Sequence, residues 1–107
     1  SSSATIGTGC FIGPNAVVNA RTIVGSGVIV NSGAVVEHDV TVGNFAHIAP
    51  GSVVAGEAGI GSDTLLGAGS VVLPKIRIGD RSVLAAGGVA SRNIPDDTTS
   101  FGGQPNA

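Results

Sequence analysis

From Ile6 onward the chain places an aliphatic residue at every sixth position. The series runs Ile6, Ile12, Val18, Val24, Val30, Val36, Val42, Ile48, Val54, Ile60, Leu66, Val72, Ile78 and Leu84, fourteen positions with no insertion. The next residue is Gly at positions 7, 13, 25, 43, 61, 67 and 79. Two residues before the aliphatic stands a small one, as at Cys10, Ala16, Thr22, Ala34, Ala46, Ser52, Ala58, Thr64, Ser70 and Ser82. A period of six suits neither an amphipathic helix, at 3.6 residues, nor a hairpin ladder. It suits short strands alternating with tight turns. Alternation along each strand sends the small residue and the aliphatic inward together. Three such units close a triangular coil of eighteen residues, and successive coils stack roughly 4.8 Å apart. Positions eighteen apart therefore lie above one another. Residues 6–90 make a little under five coils, so the reading divides the chain into a β-helix over 1–90 and a tail over 91–107.

The composition agrees with a thin interior. Of 107 residues, 18 are Gly and only 3 are aromatic, all Phe, which leaves too little ring bulk for an ordinary core. Gly does not recur every third residue, which excludes collagen, and the β-branched content excludes disorder. A net charge of −2 gives no footprint for nucleic acid. No apolar run reaches the ~20 residues of a membrane-spanning helix, and no secretory signal is present. The single Cys10 falls in a small inward slot and reads as core; one cysteine is compatible with a reducing compartment, and a cytoplasmic enzyme is expected. The chain starts Ser1-Ser2-Ser3 without Met, which reads as the cut or processed edge of something longer.

With eighteen residues per coil, outward side chains sort into columns. Val occupies 17, 35, 53, 71 and 89, while 11, 29, 47, 65 and 83 read Phe, Ile, His, Leu, Val. The third column, 23, 41, 59 and 77, reads Ile, Thr, Gly, Arg and forms the polar face. Two adjoining apolar columns make a surface that suits neighbouring copies of the same chain, most simply in a closed three-fold ring. His47 is the polar residue in an apolar column. His38 sits in the turn column 2, 20, 38, 56, 74, with Gly56 one coil above it. Asp39 belongs to the charged column Arg21, Asp39, Glu57, Lys75, so it reads either as part of a surface charge ladder or as the residue that orients His38.

The repeats IGTGCF, IGPNAV, VGSGVI, IGSDTL and LGAGSV resemble those of left-handed parallel β-helix (hexapeptide-repeat) acyltransferases. The segment VVEHDVTVGNFAHIAPGSVVAG, residues 35–56, is similar to bacterial sialic-acid O-acetyltransferases and UDP-4-amino-sugar N-acetyltransferases. The resemblance covers nearly the whole chain. It implies an all-β, left-handed, trimeric β-helix, against the general right-handed preference of parallel crossovers. It implies an acetyl-CoA-dependent transfer to an amine or hydroxyl of a sugar or sugar nucleotide, by direct attack and without an acyl-enzyme. His38 then corresponds to the general base and Asp39 to the carboxylate that orients it. The Gly56 N–H corresponds to the donor for the thioester oxyanion, although Gly56 also reads as a residue that relieves a turn. His47 corresponds to a residue near the thioester and the pantetheine end. CoA is expected in a groove between subunits, with Ala68, Ala86 and Gly87 as a pantetheine wall and no metal.

Two departures qualify that picture. Many members end Gly-x-Pro-Ala followed by Lys or Arg, whereas this chain ends Gly103-Gln104-Pro105-Asn106-Ala107. Lys75, Arg77 or Arg92 would have to meet the nucleotide phosphates instead. Members of this type also carry an N-terminal Rossmann-like domain that holds the sugar nucleotide, and nothing in these residues corresponds to it. The alternative is a structural trimeric β-helix module without activity. A γ-class carbonic anhydrase is disfavoured because zinc there needs three His ligands and the chain has two.

Overall fold

The computed structural model describes residues 3–102. They wind into a prism measuring 40 × 22 × 21 Å, walled by three parallel sheets of two-residue strands. Face one holds β1 (Thr5–Ile6), β4 (Ile23–Val24), β7 (Thr41–Val42), β10 (Gly59–Ile60) and β13 (Arg77–Ile78). Face two holds β2 (Phe11–Ile12), β5 (Ile29–Val30), β8 (His47–Ile48), β11 (Leu65–Leu66), β14 (Val83–Leu84) and β16 (Thr99–Ser100). Face three holds β3 (Val17–Val18), β6 (Val35–Val36), β9 (Val53–Val54), β12 (Val71–Val72) and β15 (Val89–Ala90). From the first coil to Ala90 every pairing joins residues eighteen apart, as in Val17↔Val35 and Ile29↔His47. The expected columns are the observed ones.

Burial follows the repeat. The aliphatic ladder is buried from Val18 to Leu84, while Ile6 and Ile12 in the first coil are exposed. The small inward slot is where polar residues enter the core without cost. The hydroxyls of Thr22, Ser52, Thr64 and Ser82 donate to the carbonyls of Glu37, Gly67, Gly79 and Pro95 in the next coil, at 2.6–3.0 Å. The Cys10 thiol makes the same contact with the Gly25 carbonyl at 3.1 Å, in keeping with its core slot. Each buried donor therefore has an acceptor, as a dry interior requires.

Each turn uses two residues, the second in the left-handed region. Nine non-glycine residues take a positive φ, Arg21 (57°) and Asp39 (59°) among them, and all nine occupy this second turn place. Such a backbone costs an ordinary residue about 1–2 kcal/mol. The coil closure and the hydrogen bond from that residue's N–H to the coil below hold it there, as Asp39 N–H to Ala20 O at 3.0 Å.

The period changes once. After Ala90, which still pairs with Val72, Ile94 bridges Ile78 and β16 pairs with β14 (Val83↔Thr99), both sixteen residues apart. Two residues are missing from the turn between faces three and one, so Pro74 and Lys75 have no counterparts above them. Paired strands thus continue past residue 90, with a shortened coil over 91–102.

Candidate active site

The corner between faces three and one gathers His38, Asp39, Gly56 and Arg21. His38 and Asp39 are the two turn residues that follow β6. Gly56 is the first turn residue after β9, one coil higher, and the Glu57 N–H donates to the His38 carbonyl at 3.0 Å. The His38 Nδ1 lies 2.9 Å from Asp39 Oδ2. An ionised carboxylate only accepts, so in the neutral imidazole Nδ1 carries the hydrogen and Nε2 keeps its lone pair. That Nε2 faces Gly56: a β-carbon there would stand 2.8 Å from Nε2 and 3.0 Å from Cε1. The His38 side chain is 53% exposed, so its free nitrogen remains open to a substrate.

Asp39 is held from below. Arg21, eighteen residues earlier, donates from Nε to Oδ1 and from Nη2 to Oδ2, both at 3.0 Å. The Arg21 fork, with the His38 hydrogen bond next, lowers the Asp39 carboxyl to a pKa of about 2. The two readings of this column, surface ladder or orientation of His38, are one arrangement: the same carboxylate holds both partners.

The amide of the first turn residue lies outside the coil-to-coil backbone ladder. Between faces one and two the next coil supplies an acceptor: Asn44 Oδ1 accepts from Ser26 N–H, Asp80 from Ser62 and Asp96 from Asp80, at 2.7–2.9 Å. At the His38 corner the corresponding residue above Gly56 is Pro74, whose side chain accepts nothing. Among the described residues no acceptor meets the Gly56 N–H. A turn amide without an acceptor and an imidazole with an open nitrogen on the adjacent coil supply what acyl transfer needs: a donor for the oxygen that becomes negative and a base for the acceptor's proton.

The other expected site residues lie elsewhere on the prism. His47 opens β8 on face two, the side opposite the His38 corner, half-buried with Asn31 Nδ2 at 3.4 Å from its Nε2. Ala68, Ala86 and Gly87 are exposed at the corner between faces two and three, where the Gly87 N–H donates to the Ala68 carbonyl at 2.9 Å. A single chain therefore does not bring them to His38. Lys75 lies above Glu57 in the Asp39 column, Arg77 lies over Gly59 on face one, and the ending Gly103–Ala107 lies outside the described residues. No group of three or more His, Cys, Asp or Glu among the described residues is placed to hold a metal ion, and none of their helices is long and apolar enough to cross a membrane. Arg21 and Pro74 are the contributors that sequence reasoning did not assign to the site. Both stand exactly eighteen residues from a site residue, the signal by which column arithmetic finds them.

A solenoid of six-residue units is the architecture of the hexapeptide-repeat proteins. The bacterial transferase hexapeptide family (six repeats) matches residues 3–38 and 21–56, and the hexapeptide repeat of succinyl-transferase matches 58–89. The chain belongs to this family of left-handed β-helix acetyltransferases. Among solved structures it is similar to the acetyltransferase domain of PglB from Neisseria gonorrhoeae FA1090, with 34% identity and TM-score 0.83 over 96% of this chain and 53% of that one. The same domain in complex with acetyl coenzyme A gives 36% identity and TM-score 0.88 over 92% of this chain and 48% of that one. PerB from Caulobacter crescentus, in complex with CoA and GDP-perosamine, gives 35% identity and TM-score 0.77 over 91% and 50%. The chain spans about half the length of these relatives. No curated protein matches it.

Proposed function

We propose that this chain is the acetyl-transfer unit of an acetyl-CoA-dependent sugar acetyltransferase, acting on an amino group of a sugar or nucleotide-linked sugar. The observation that carries the reading is the His38 Nε2, held by Asp39 on its far side and set against the unpaired Gly56 N–H. The acceptor nitrogen attacks the thioester carbonyl carbon directly while Nε2 takes its proton. The carbonyl oxygen, now negative, meets the Gly56 N–H. Collapse breaks the carbon–sulfur bond, and the departing CoA thiolate takes the proton back from the imidazolium. The relatives crystallised with acetyl coenzyme A, and with CoA and GDP-perosamine, favour an amine on a nucleotide sugar over a hydroxyl.

The unit works as a homotrimer in this proposal. Faces two and three carry the two apolar columns, including the exposed Phe11, Val17 and Leu65. Packing them against neighbouring copies brings His47, Ala68, Ala86 and Gly87 of one copy toward the His38 corner of the next. CoA then lies in the groove between them. Residues 91–102 act as a closing coil at one end of the prism.

The test is acetyl-CoA consumption with amino-sugar and nucleotide amino-sugar acceptors. Replacing His38 by Ala is expected to leave the coil folded and to lower transfer by at least about a hundredfold. Unchanged turnover in H38A refutes the mechanism. A monomeric mass in sedimentation at micromolar protein refutes the trimer. Absence of acetyl-CoA binding in calorimetry returns the chain to the structural class.

A further inference from the structure

We propose that Arg21 is a positioning residue for acetyl transfer: its guanidinium fork locks the Asp39 carboxylate in the orientation that holds His38 Nδ1 and aims Nε2 at Gly56. The inference rests on His38 being the base, and it adds a residue that acts only through Asp39.

The geometry begins in the backbone. Arg21 and Asp39 occupy the same turn place one coil apart, and both take the left-handed conformation, with φ of 57° and 59°. Their side chains therefore leave the corner in parallel, and the Nε and Nη2 of one meet both oxygens of the other at 3.0 Å. A carboxylate gripped at both oxygens cannot rotate about its Cβ–Cγ bond. The oxygen that takes Nη2–H is Oδ2, the same oxygen that faces His38 Nδ1 at 2.9 Å. One rigid carboxylate thus sets both the tautomer and the plane of an imidazole that is otherwise half exposed. Without the fork, Asp39 is free to turn toward water, and His38 loses its only side-chain tether among the described residues.

The second effect is electrostatic. The charged groups stacked at this corner are Arg21 below, Glu37 and Asp39 in the coil of His38, Glu57 in the coil above, and Lys75 above that. Of these groups Asp39 contacts the imidazole, and Arg21 is the cation that contacts Asp39, so its removal leaves the carboxylate beside His38 without its counter-charge.

The molecule contains its own control. Arg81 and Asp97 form the same fork, Nε to Oδ1 at 2.7 Å and Nη2 to Oδ2 at 3.1 Å, again between two positive-φ turn residues. That pair lies at the corner between faces one and two and touches no histidine. Removing it reports what a fork contributes to the coil alone.

The experiment compares R21Q, R21K and R81Q for kcat and KM against pH, with unfolding midpoints for each. R21Q is expected to lower kcat about tenfold with KM for acetyl-CoA unchanged. R21K restores the charge but not the two-pronged grip, so kcat recovers only in part. R81Q leaves kcat and the profile unchanged, with an unfolding midpoint close to that of R21Q. An R21Q profile and kcat equal to those of R81Q overturns the proposal, and full recovery of kcat in R21K overturns the role of the fork. If H38A itself retains turnover, it is the assignment of the base that fails.

Discussion

Two corners of the prism use one turn geometry for different ends. Between faces one and two the residue after each strand is Gly at 7, 25, 43, 61 and 79. There the coils approach so closely that a β-carbon on Gly43 would stand 2.5 Å from the Ser62 nitrogen and 2.8 Å from the Gly61 carbonyl carbon. The turn amides of Ser26, Ser62 and Asp80 are capped by side chains from the next coil. Between faces three and one the same places hold Asn19, Glu37, Ala55, Leu73 and Ser91, and the Gly56 amide is left uncapped. The first corner spends its polar groups on itself. The second keeps an amide and an imidazole nitrogen available to a ligand, with the Asp39 carboxylate holding the imidazole from behind.

The sharpest way to break this comparison is to put the same methyl group at each corner. G43A forces a β-carbon against backbone that cannot yield, and a loss of about 3 kcal/mol in denaturant unfolding is expected. G56A meets only the end of a half-exposed imidazole, so unfolding changes little. Acetyl transfer in G56A is expected to fall about a hundredfold, because the ring is displaced from the free amide. If G56A destabilises as G43A does, the two corners are equivalent and the comparison fails.

A finer test moves the capping device across. P74N places an amide oxygen where Asn44 and Asp80 cap their turns, one coil above Gly56. Capping the Gly56 N–H is expected to lower turnover about tenfold with the unfolding midpoint held. Turnover equal to wild type would mean that this amide does not serve the reaction.

The smallest effect is in acid. Asp39 is lowered from 3.8 to about 2 in the folded chain by Arg21 and His38, and Asp97 is lowered by Arg81. A depressed folded-state value contributes stability above the unfolded value and loses it as pH falls. The thermal midpoint should therefore decline between about pH 4 and pH 2, less steeply in R21Q and R81Q. Asp39 stays ionised throughout the neutral range, so an activity limb between about pH 5 and 8 is not the titration of Asp39. A limb that follows Asp39 substitution but survives H38A would reverse that assignment.

Much of this was legible in order. The period placed Val17 above which Val35, Val53, Val71 and Val89 stack, and it placed Gly56 over His38. The family resemblance, carried by residues 35–56, assigned roles to His38, Asp39 and Gly56, and the structure brings these three residues to one corner. The register change after Ala90 was not legible, because the missing pair of residues is recognised only when Ile94 is seen against Ile78. Arg21 was visible as a neighbour of Asp39, yet a charged column alone does not say whether a pair grips at one oxygen or two.

The sequence by itself determined the coil, since six-residue periodicity is local arithmetic and burial of the aliphatic column leaves one register. It also explained why a chain with three aromatic residues suffices, for each six-residue unit sends one aliphatic residue inward. Only the tertiary structure decided which corner is chemically open. That choice depends on how side chains leave left-handed turns and on what the next coil offers each free amide. Both are contacts between residues eighteen apart, which the chain acquires when it closes on itself.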